Sequence, residues 1–138
     1  MDLKLLRQDL HMHPQVSGHE QYAHDQVVAL LQSMSPTGLW TRVNGWGVMA
    51  LWHVGAPITI AFRADTDALP IGHRCGHDGH TAILLGLAQW VDSHVGQLRK
   101  NIMFVWQPEE ETGCGAQKIV DSGLLQQYDV SAIFGLHN

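Results

Sequence analysis

The sequence predicts an α/β fold, a mostly parallel mixed sheet flanked by helices, and three observations lead to this prediction. Short apolar runs containing β-branched residues alternate with amphipathic helical segments, which is typical of parallel strands buried on both faces. The 138 residues, 45% of them hydrophobic, are enough for one domain with its own core. Neither repeats nor low-complexity linkers divide the chain. We therefore predict a single domain over residues 1–138.

The first half of the chain is predicted to contain two helices followed by a hairpin. Leucines recur at helical spacing within residues 2–12, and Pro14 ends that helix because proline cannot continue its hydrogen bonding. Residues 19–34 show a second amphipathic pattern, which a Ser-Pro-Thr-Gly segment interrupts. The strand-like runs 39–43 and 48–53 flank Asn-Gly-Trp-Gly, whose composition favours a hairpin turn.

The second half of the chain alternates strands with helices. Residues 58–64 are apolar and partly β-branched, as expected for a buried strand, and residues 102–106 and 132–136 show similar runs. Residues 80–94 carry apolar side chains on one helical face, and residues 114–122 form a short helix that ends at a glycine. This alternation predicts helices packed against a largely parallel sheet.

Three of the predicted strands run directly into clusters of acidic or histidine side chains. Asp65 and Asp67 come after the first, the three glutamates at 109–111 after the second, and His137 after the third. In open α/β sheets, ligands bind beyond the carboxyl ends of the strands, so we predict that these clusters converge. A Cys-Gly-His-Asp segment lies close by, at the entry to the third helix.

These clusters contain the side-chain types that bind Zn²⁺ and related ions. Cys75 and His77 offer a thiolate and an imidazole, and ligands drawn from distant strands are typical of catalytic zinc sites. The residues alone leave other interpretations open. A buried cysteine is more often part of a core, and three adjacent acids usually form a solvated loop. Asp65 and Asp67 could be ligands, supports for ligand histidines or a strand-end turn. Cys75 and Cys114 could also form a disulfide.

The charge balance argues against several other classes of function. Thirteen acids against eight bases give a formal net charge of −5, so no positive surface for nucleic acid or anionic lipid is expected. The apolar runs are too short to cross a bilayer, and the N-terminal segment lacks the apolar region of a secretion signal. We therefore predict a cytoplasmic protein that binds neither nucleic acid nor membranes.

Five segments, in order along nearly the whole chain, resemble the M20 metallopeptidases. They are RQDLHMHPQVSGHE, AFRADTDALPI, HRCGHDGHTAILLGLA, VWQPEEETGCGA and IFGLHN. Within that family the resemblance is to the amidohydrolase branch, which includes hippurate hydrolases, N-acetyl-amino-acid and N-acetyl-diaminopimelate deacetylases, and auxin-conjugate hydrolases. Five ordered motifs are far more specific than any one of them. The resemblance implies a zinc-exopeptidase-like catalytic domain.

The same resemblance implies a role for each matching residue. The metal ligands would be a thiolate, two imidazoles and a carboxylate, namely Cys75, His77, Glu111 and His137. Glu110 would be the general base. Asp67 would be a carboxylate that supports a ligand, with Asp65 close to it. Cys114 stands where the family usually has glycine and is predicted to be structural.

The resemblance also implies cofactors, a substrate class and a reaction. Two divalent ions (Zn²⁺, Mn²⁺, Co²⁺ or Ni²⁺) would activate a water that hydrolyses an amide bond in N-acyl amino acids or small peptides. A homo-oligomer is also predicted. The chain lacks the family's dimerisation domain and last ligand histidine, and it connects Ile71 directly to Gly72, where the family has a longer segment. We therefore predict a partial catalytic domain; the alternative is a truncated, catalytically inactive metal-binding fragment.

Overall fold

The first two helices begin and end where local side chains favour it. A computed structural model, which describes all 138 residues, places helix α1 at Leu3–Met12 and helix α2 at Gln21–Gln32. The Asp2 carboxylate accepts hydrogen bonds of 2.9 and 3.1 Å from the backbone N–H groups of Lys4 and Leu5. These N–H groups have no acceptor inside the helix, so the aspartate stabilises its start.

The rest of the chain contains the five predicted strands, with helices after the third and the fourth of them. Its elements are, in order, β1 (Gly38–Val43), β2 (Gly47–Trp52), β3 (Thr59–Asp65), α3 (His77–Ser93), a 3₁₀ helix (Val95–Gln97), β4 (Asn101–Gln107), α4 (Gly115–Asp121), α5 (Leu124–Gln127) and β5 (Val130–Gly135). None of the helices combines the length and the hydropathy needed to span a membrane.

Two helical segments differ from the predicted ones for local reasons. Helix α3 begins at His77 rather than at residue 80, directly after Gly76, which takes a left-handed φ of 84°. The polar first turn of α3 has no apolar periodicity, and the prediction therefore missed it. The short helix predicted at 114–122 is followed by a second one, because Gly123, at φ 74°, separates α4 from α5.

The five strands form one mixed sheet in the order β1-β2-β4-β3-β5. Strands β1 and β2 form the predicted hairpin, and β2 pairs with β4 in an antiparallel direction. Strand β3 lies between β4 and β5 and is parallel to both. The predicted α/β fold, a mixed sheet flanked by helices, is therefore confirmed. Its parallel pairings are the two made by β3, and its antiparallel pairings lie on the hairpin side.

Helices cover both faces of the sheet, because alternate side chains of a strand point to opposite faces. One apolar cluster joins the sheet to α2 and α3 and includes Leu31, Ala50, Leu85, Phe104 and Trp106. The other joins the sheet to α4 and α5 and includes Met49, Met103, Val105, Ile119 and Leu124. Helix α1 packs against α3 rather than against the sheet. The two apolar clusters thus hold the sheet and the helices in fixed positions relative to one another.

The carboxyl ends of β3, β4 and β5 lie at one edge of the sheet, because these strands are parallel. The first turn of α3 meets this edge, where the Thr81 hydroxyl donates a 2.9 Å hydrogen bond to the backbone oxygen of Asp65. We call this edge the rim; it comprises residues 65–67, 75–80, 109–111 and 137. The fold therefore brings the predicted polar clusters to one place.

Candidate metal centre

His77, the first residue of α3, lies at the centre of the rim and is fully buried. Its Nδ1 lies 2.9 Å from the backbone oxygen of Asp67 and 3.2 Å from Asp67 Oδ1. A carbonyl oxygen can only accept, so Nδ1 carries a proton and donates it. Nε2 has no hydrogen-bond partner. The ring therefore presents an unused nitrogen to its other neighbours.

Three carboxylate oxygens surround this unused nitrogen. His77 Nε2 is 3.7 Å from Asp65 Oδ2, 3.7 Å from Glu110 Oε2 and 3.8 Å from Glu111 Oε1. These separations are too long for direct hydrogen bonds. A cation with donors at 2.0–2.3 Å in a tetrahedral arrangement would hold them about 3.3–3.8 Å apart. The spacing around His77 Nε2 therefore fits a bound metal ion better than it fits a hydrogen-bond network.

The donor atoms form two groups that share His77. Asp65, His77, His80 and His137 make up one group, and Cys75, His77 and Glu111 make up the other. Within each group the candidate ligand atoms all lie within 4.8 Å of one another. A thiol, imidazoles and carboxylates suit Zn²⁺ and the neighbouring transition metals. The geometry and the donor chemistry thus both fit a divalent ion.

His80 is a rim residue that sequence reasoning missed. Its Nδ1 lies 2.6 Å from Asp65 Oδ1, and its Nε2 accepts a 3.3 Å hydrogen bond from the backbone N–H of Asn138. Both ring nitrogens are therefore engaged, so His80 orients Asp65 rather than offering a free donor atom. Its position three residues after His77, one helical turn along α3, is the sequence signal that could have revealed it.

Asp65 is fully buried at the end of β3 and is held from two sides. Besides the contact with His80, its Oδ2 accepts a 2.7 Å hydrogen bond from Arg63 Nη1. The same oxygen lies 3.3 Å from His137 Nε2. The His137 side chain, which follows β5, is 44% exposed and thus leaves one side of the rim open to solvent.

The turn after β4 directs two of its three glutamates into the rim. Glu110 and Glu111 face His77, whereas the Glu109 carboxylate pairs with Lys118 Nζ at 2.5 Å. The turn needs glycine at position 115, because a Cβ there would lie 1.6 Å from the backbone oxygen of Pro108. The Glu109 side chain is 15% exposed and those of Glu110 and Glu111 are 31% exposed, so the interpretation of these acids as one solvated loop does not describe the turn.

The structure brings together every residue that the sequence analysis singled out for the site. These residues are Asp65, Asp67, Cys75, His77, Glu110, Glu111 and His137. Their roles stay predictions, but their convergence on the rim is a structural fact. The alternative of a disulfide does not match the structure, because Cys75 and Cys114 are both free. Cys75 is only partly buried, and its thiol lies 3.8 Å from the backbone oxygen of Asp67.

The ionisation of the rim follows from burial opposed by close polar contacts. Burial alone would raise the pKa of Asp67, but hydrogen bonds from His77, the Glu111 N–H and Ser17 outweigh it and lower the pKa to about 2. Burial would lower the pKa of His77, but the hydrogen bond to Asp67 and the nearby carboxylates raise it. Burial raises the pKa of the Cys75 thiol. The Asp67 carboxylate is therefore ionised at neutral pH and supports the proton on His77 Nδ1.

This fold and this site together define a class of protein: an α/β domain with a candidate metal centre of the catalytic type, whose donors come from separate strand ends. The chain belongs to the peptidase family M20/M25/M40, whose family model matches residues 61–138. The matched region contains every residue of the rim. The resemblance to M20 peptidases is thereby confirmed at the level of the family.

Relatives and solved structures agree with this assignment. An uncharacterised hydrolase of Staphylococcus aureus is 38% identical over 148 aligned positions, which cover 95% of this chain and 38% of that protein. The YXEP protein of Bacillus subtilis, described as a dinuclear metal binding peptidase from the M20 family, superposes with a TM-score of 0.90 at 34% identity. A putative aminohydrolase from methicillin-resistant S. aureus also gives 0.90, at 30% identity. These two structures match 99% and 98% of this chain, which spans 42% and 38% of theirs.

We predict that Asp67 makes the free energy of unfolding of the metal-free protein fall as the pH is lowered below about 4. Its pKa is about 2 when folded, below the ordinary value of 3.8, so its contribution is complete above about pH 4 and is lost as the pH falls toward 2. This loss amounts to about 2 kcal/mol. In Asp67→Asn, the fall in the free energy of unfolding between pH 5 and pH 2, measured with urea, should be smaller by that amount.

The matched control for this measurement is Asp121→Asn, which alters an exposed carboxylate whose hydrogen-bond partner is Gln117 rather than a rim residue. Its pH dependence should follow that of the unaltered protein. If both variants showed the same pH dependence, the network around Asp67 would not hold this carboxylate ionised.

Proposed function

We propose that this chain is the metal-binding part of a hydrolase that cleaves the amide bond of N-acyl amino acids or small peptides. One observation carries the proposal: the buried Nε2 of His77 has no hydrogen-bond partner and faces three carboxylate oxygens at 3.7–3.8 Å. Membership of the M20/M25/M40 peptidases supports the same chemistry. The description of the B. subtilis relative as a dinuclear metal-binding peptidase supports two ions rather than one.

The two donor groups suggest how two divalent ions would be held. Cys75 and Glu111 would bind one ion, and His137 would bind the other. His77 belongs to both groups, and its Nε2 would bind one of the two ions. Asp67 would orient His77 through its Nδ1 proton, which is the usual role of a carboxylate behind a ligand histidine. Such mixed donors accept Zn²⁺, Mn²⁺, Co²⁺ or Ni²⁺.

We propose that Glu110 acts as the general base. Its Oε2 lies 3.7 Å from His77 Nε2, and its Oε1 lies 3.9 Å from His137 Nε2. The Glu110 side chain is 31% exposed. When bound, the ions would polarise the scissile carbonyl and lower the pKa of the attacking water. Glu110 would take the proton of this water and then give it to the leaving amine. The reaction needs no covalent intermediate with the protein.

The length of the relatives bears on how the proposal is tested. The chain spans 38% of the length of the S. aureus hydrolase that it matches, so a metal-binding but inactive chain is the alternative. Measurements of the metal content and of the hydrolysis of hippurate or N-acetyl-methionine distinguish the hydrolase from the inactive metal-binding chain. Two ions per chain with turnover would support the hydrolase, whereas one ion or none without turnover would support the alternative.

We predict that Glu110→Gln keeps the metal content but lowers the rate of hydrolysis at least about 100-fold, because the amide cannot accept the proton. Glu109→Gln is the matched control, since this neighbouring carboxylate pairs with Lys118. The control should keep at least half of the rate. Metal analysis and initial rates check both variants, and a near-normal rate in Glu110→Gln would rule out its role as base.

We predict that Cys75→Ser weakens metal binding by more than about 100-fold. The loss of a residue that only supports a ligand typically costs about 10- to 100-fold, and Cys75 is itself a proposed ligand. Since burial raises the pKa of Cys75, its thiol is protonated in the metal-free protein near neutral pH and releases that proton when a metal binds. Metal affinity should therefore fall as the pH is lowered.

Titration calorimetry in buffers of different ionisation enthalpy measures both the affinity and the released protons. Cys75→Ser should release about one proton fewer than the unaltered chain. Cys114→Ser changes the exposed cysteine and should match the unaltered chain in both quantities. Equal affinity in the two variants would remove Cys75 from the ligand set.

A further inference from the structure

Glu20 is a fully buried carboxylate that the proposed chemistry does not use. It lies just before α2, yet its Oε1 accepts a 2.8 Å hydrogen bond from the backbone N–H of Glu109, 89 positions further along the chain. Its Oε2 is buried without any partner. Burying a carboxylate costs free energy unless its contacts offset the loss of water, so its position next to the rim calls for a reason.

The residue that Glu20 holds has an unusual backbone conformation. Glu109 has a φ of 53°, in the left-handed region that non-glycine residues adopt at a cost. Such a conformation persists only where surrounding contacts enforce it. The backbone oxygen of Glu109 accepts a 3.1 Å hydrogen bond from Gly115 N, and its N–H is bound by Glu20. Both backbone groups of Glu109 are thus fixed.

A second buried carboxylate holds the same turn two residues later. The backbone N–H of Glu111 donates a 3.0 Å hydrogen bond to Asp67 Oδ2. Glu110 therefore stands between two residues whose N–H groups are each bound by a buried carboxylate from elsewhere in the chain. Asp67 also contacts His77 directly, whereas Glu20 contacts none of the proposed ligands.

We propose that Glu20 is a positioning residue of the metal centre: by binding the Glu109 N–H, it fixes the left-handed turn that directs Glu110 and Glu111 toward His77. The inference rests on the proposed function, because it concerns the same site. It assigns a role in that site to the N-terminal segment before α2, which supplies none of the proposed ligands. Loss of the Glu20 hydrogen bond would loosen the turn and move the Glu111 carboxylate away from its ion.

The test compares Glu20→Met, which removes the acceptor, with Glu20→Gln, which keeps an acceptor oxygen at the same distance. Lys118→Met is the matched control, because it removes the side-chain partner of Glu109 and leaves the backbone contact intact. Two quantities are measured on the full chain: hydrogen exchange of the Glu109 amide in the metal-free protein, and Zn²⁺ affinity by competition with a chromophoric chelator.

In Glu20→Met, we expect the Glu109 amide to exchange about 10- to 100-fold faster, as for the loss of a hydrogen bond to a charged acceptor. Zn²⁺ affinity should fall about 10- to 100-fold. In Lys118→Met, both quantities should stay within about threefold of the unaltered chain. In Glu20→Gln, whose neutral oxygen is a weaker acceptor than a carboxylate, both losses should be smaller than in Glu20→Met and at most about 10-fold. If Glu20→Met does not fold, Glu20→Asp replaces it: the shorter side chain keeps the charge but withdraws the acceptor, so the same losses are expected.

Faster exchange with unchanged Zn²⁺ affinity would overturn the inference, because Glu20 would then stabilise the turn without serving the site. Unchanged exchange at Glu109 would overturn it as well. If the unaltered chain bound no Zn²⁺, the proposed function would fail, and the exchange comparison would still report separately whether Glu20 fixes the turn.

Discussion

The hydrogen bond between His77 and Asp67 is the interaction on which the rest of the site depends. Since the Nδ1 proton of His77 is committed to Asp67, the ring must turn its other nitrogen toward the carboxylates at the strand ends. Asp67 also accepts hydrogen bonds from Ser17 and from the Glu111 N–H. One buried side chain thereby ties the N-terminal segment, the start of α3 and the turn after β4 into a single arrangement. Its low pKa follows from these contacts.

Much of the architecture could be predicted because it depends on local patterns. The apolar runs identify the strands, and the clusters that follow them lie at one edge because β3, β4 and β5 are parallel. Contacts between distant segments could not be predicted in the same way. His80 looks like any helical histidine until the fold places Asp65 beside it, and Glu20 is inconspicuous until it meets Glu109. The first turn of α3 was missed because its residues face the rim rather than the apolar core.

The rim is built at some cost to stability, as functional sites often are. It concentrates carboxylates, leaves a buried nitrogen of His77 without a partner and holds Glu109 in a left-handed conformation. The two apolar clusters on either face of the sheet offset this cost and keep the strand ends in place. A bound cation would relieve the same strain, because it would satisfy His77 Nε2 and neutralise the surrounding charge. The carboxylates and the unpaired nitrogen that destabilise the metal-free rim are the groups that would bind the ion.

Anomalous diffraction from crystals soaked with Zn²⁺ tests the central claim most directly, because it locates the ions without requiring turnover. Two peaks about 3.5–4 Å apart are expected at the rim. One of them should lie about 2.0–2.1 Å from His77 Nε2. Zinc bound only elsewhere on the chain, with no ion at His77 Nε2, would rule out the metal centre proposed at the rim.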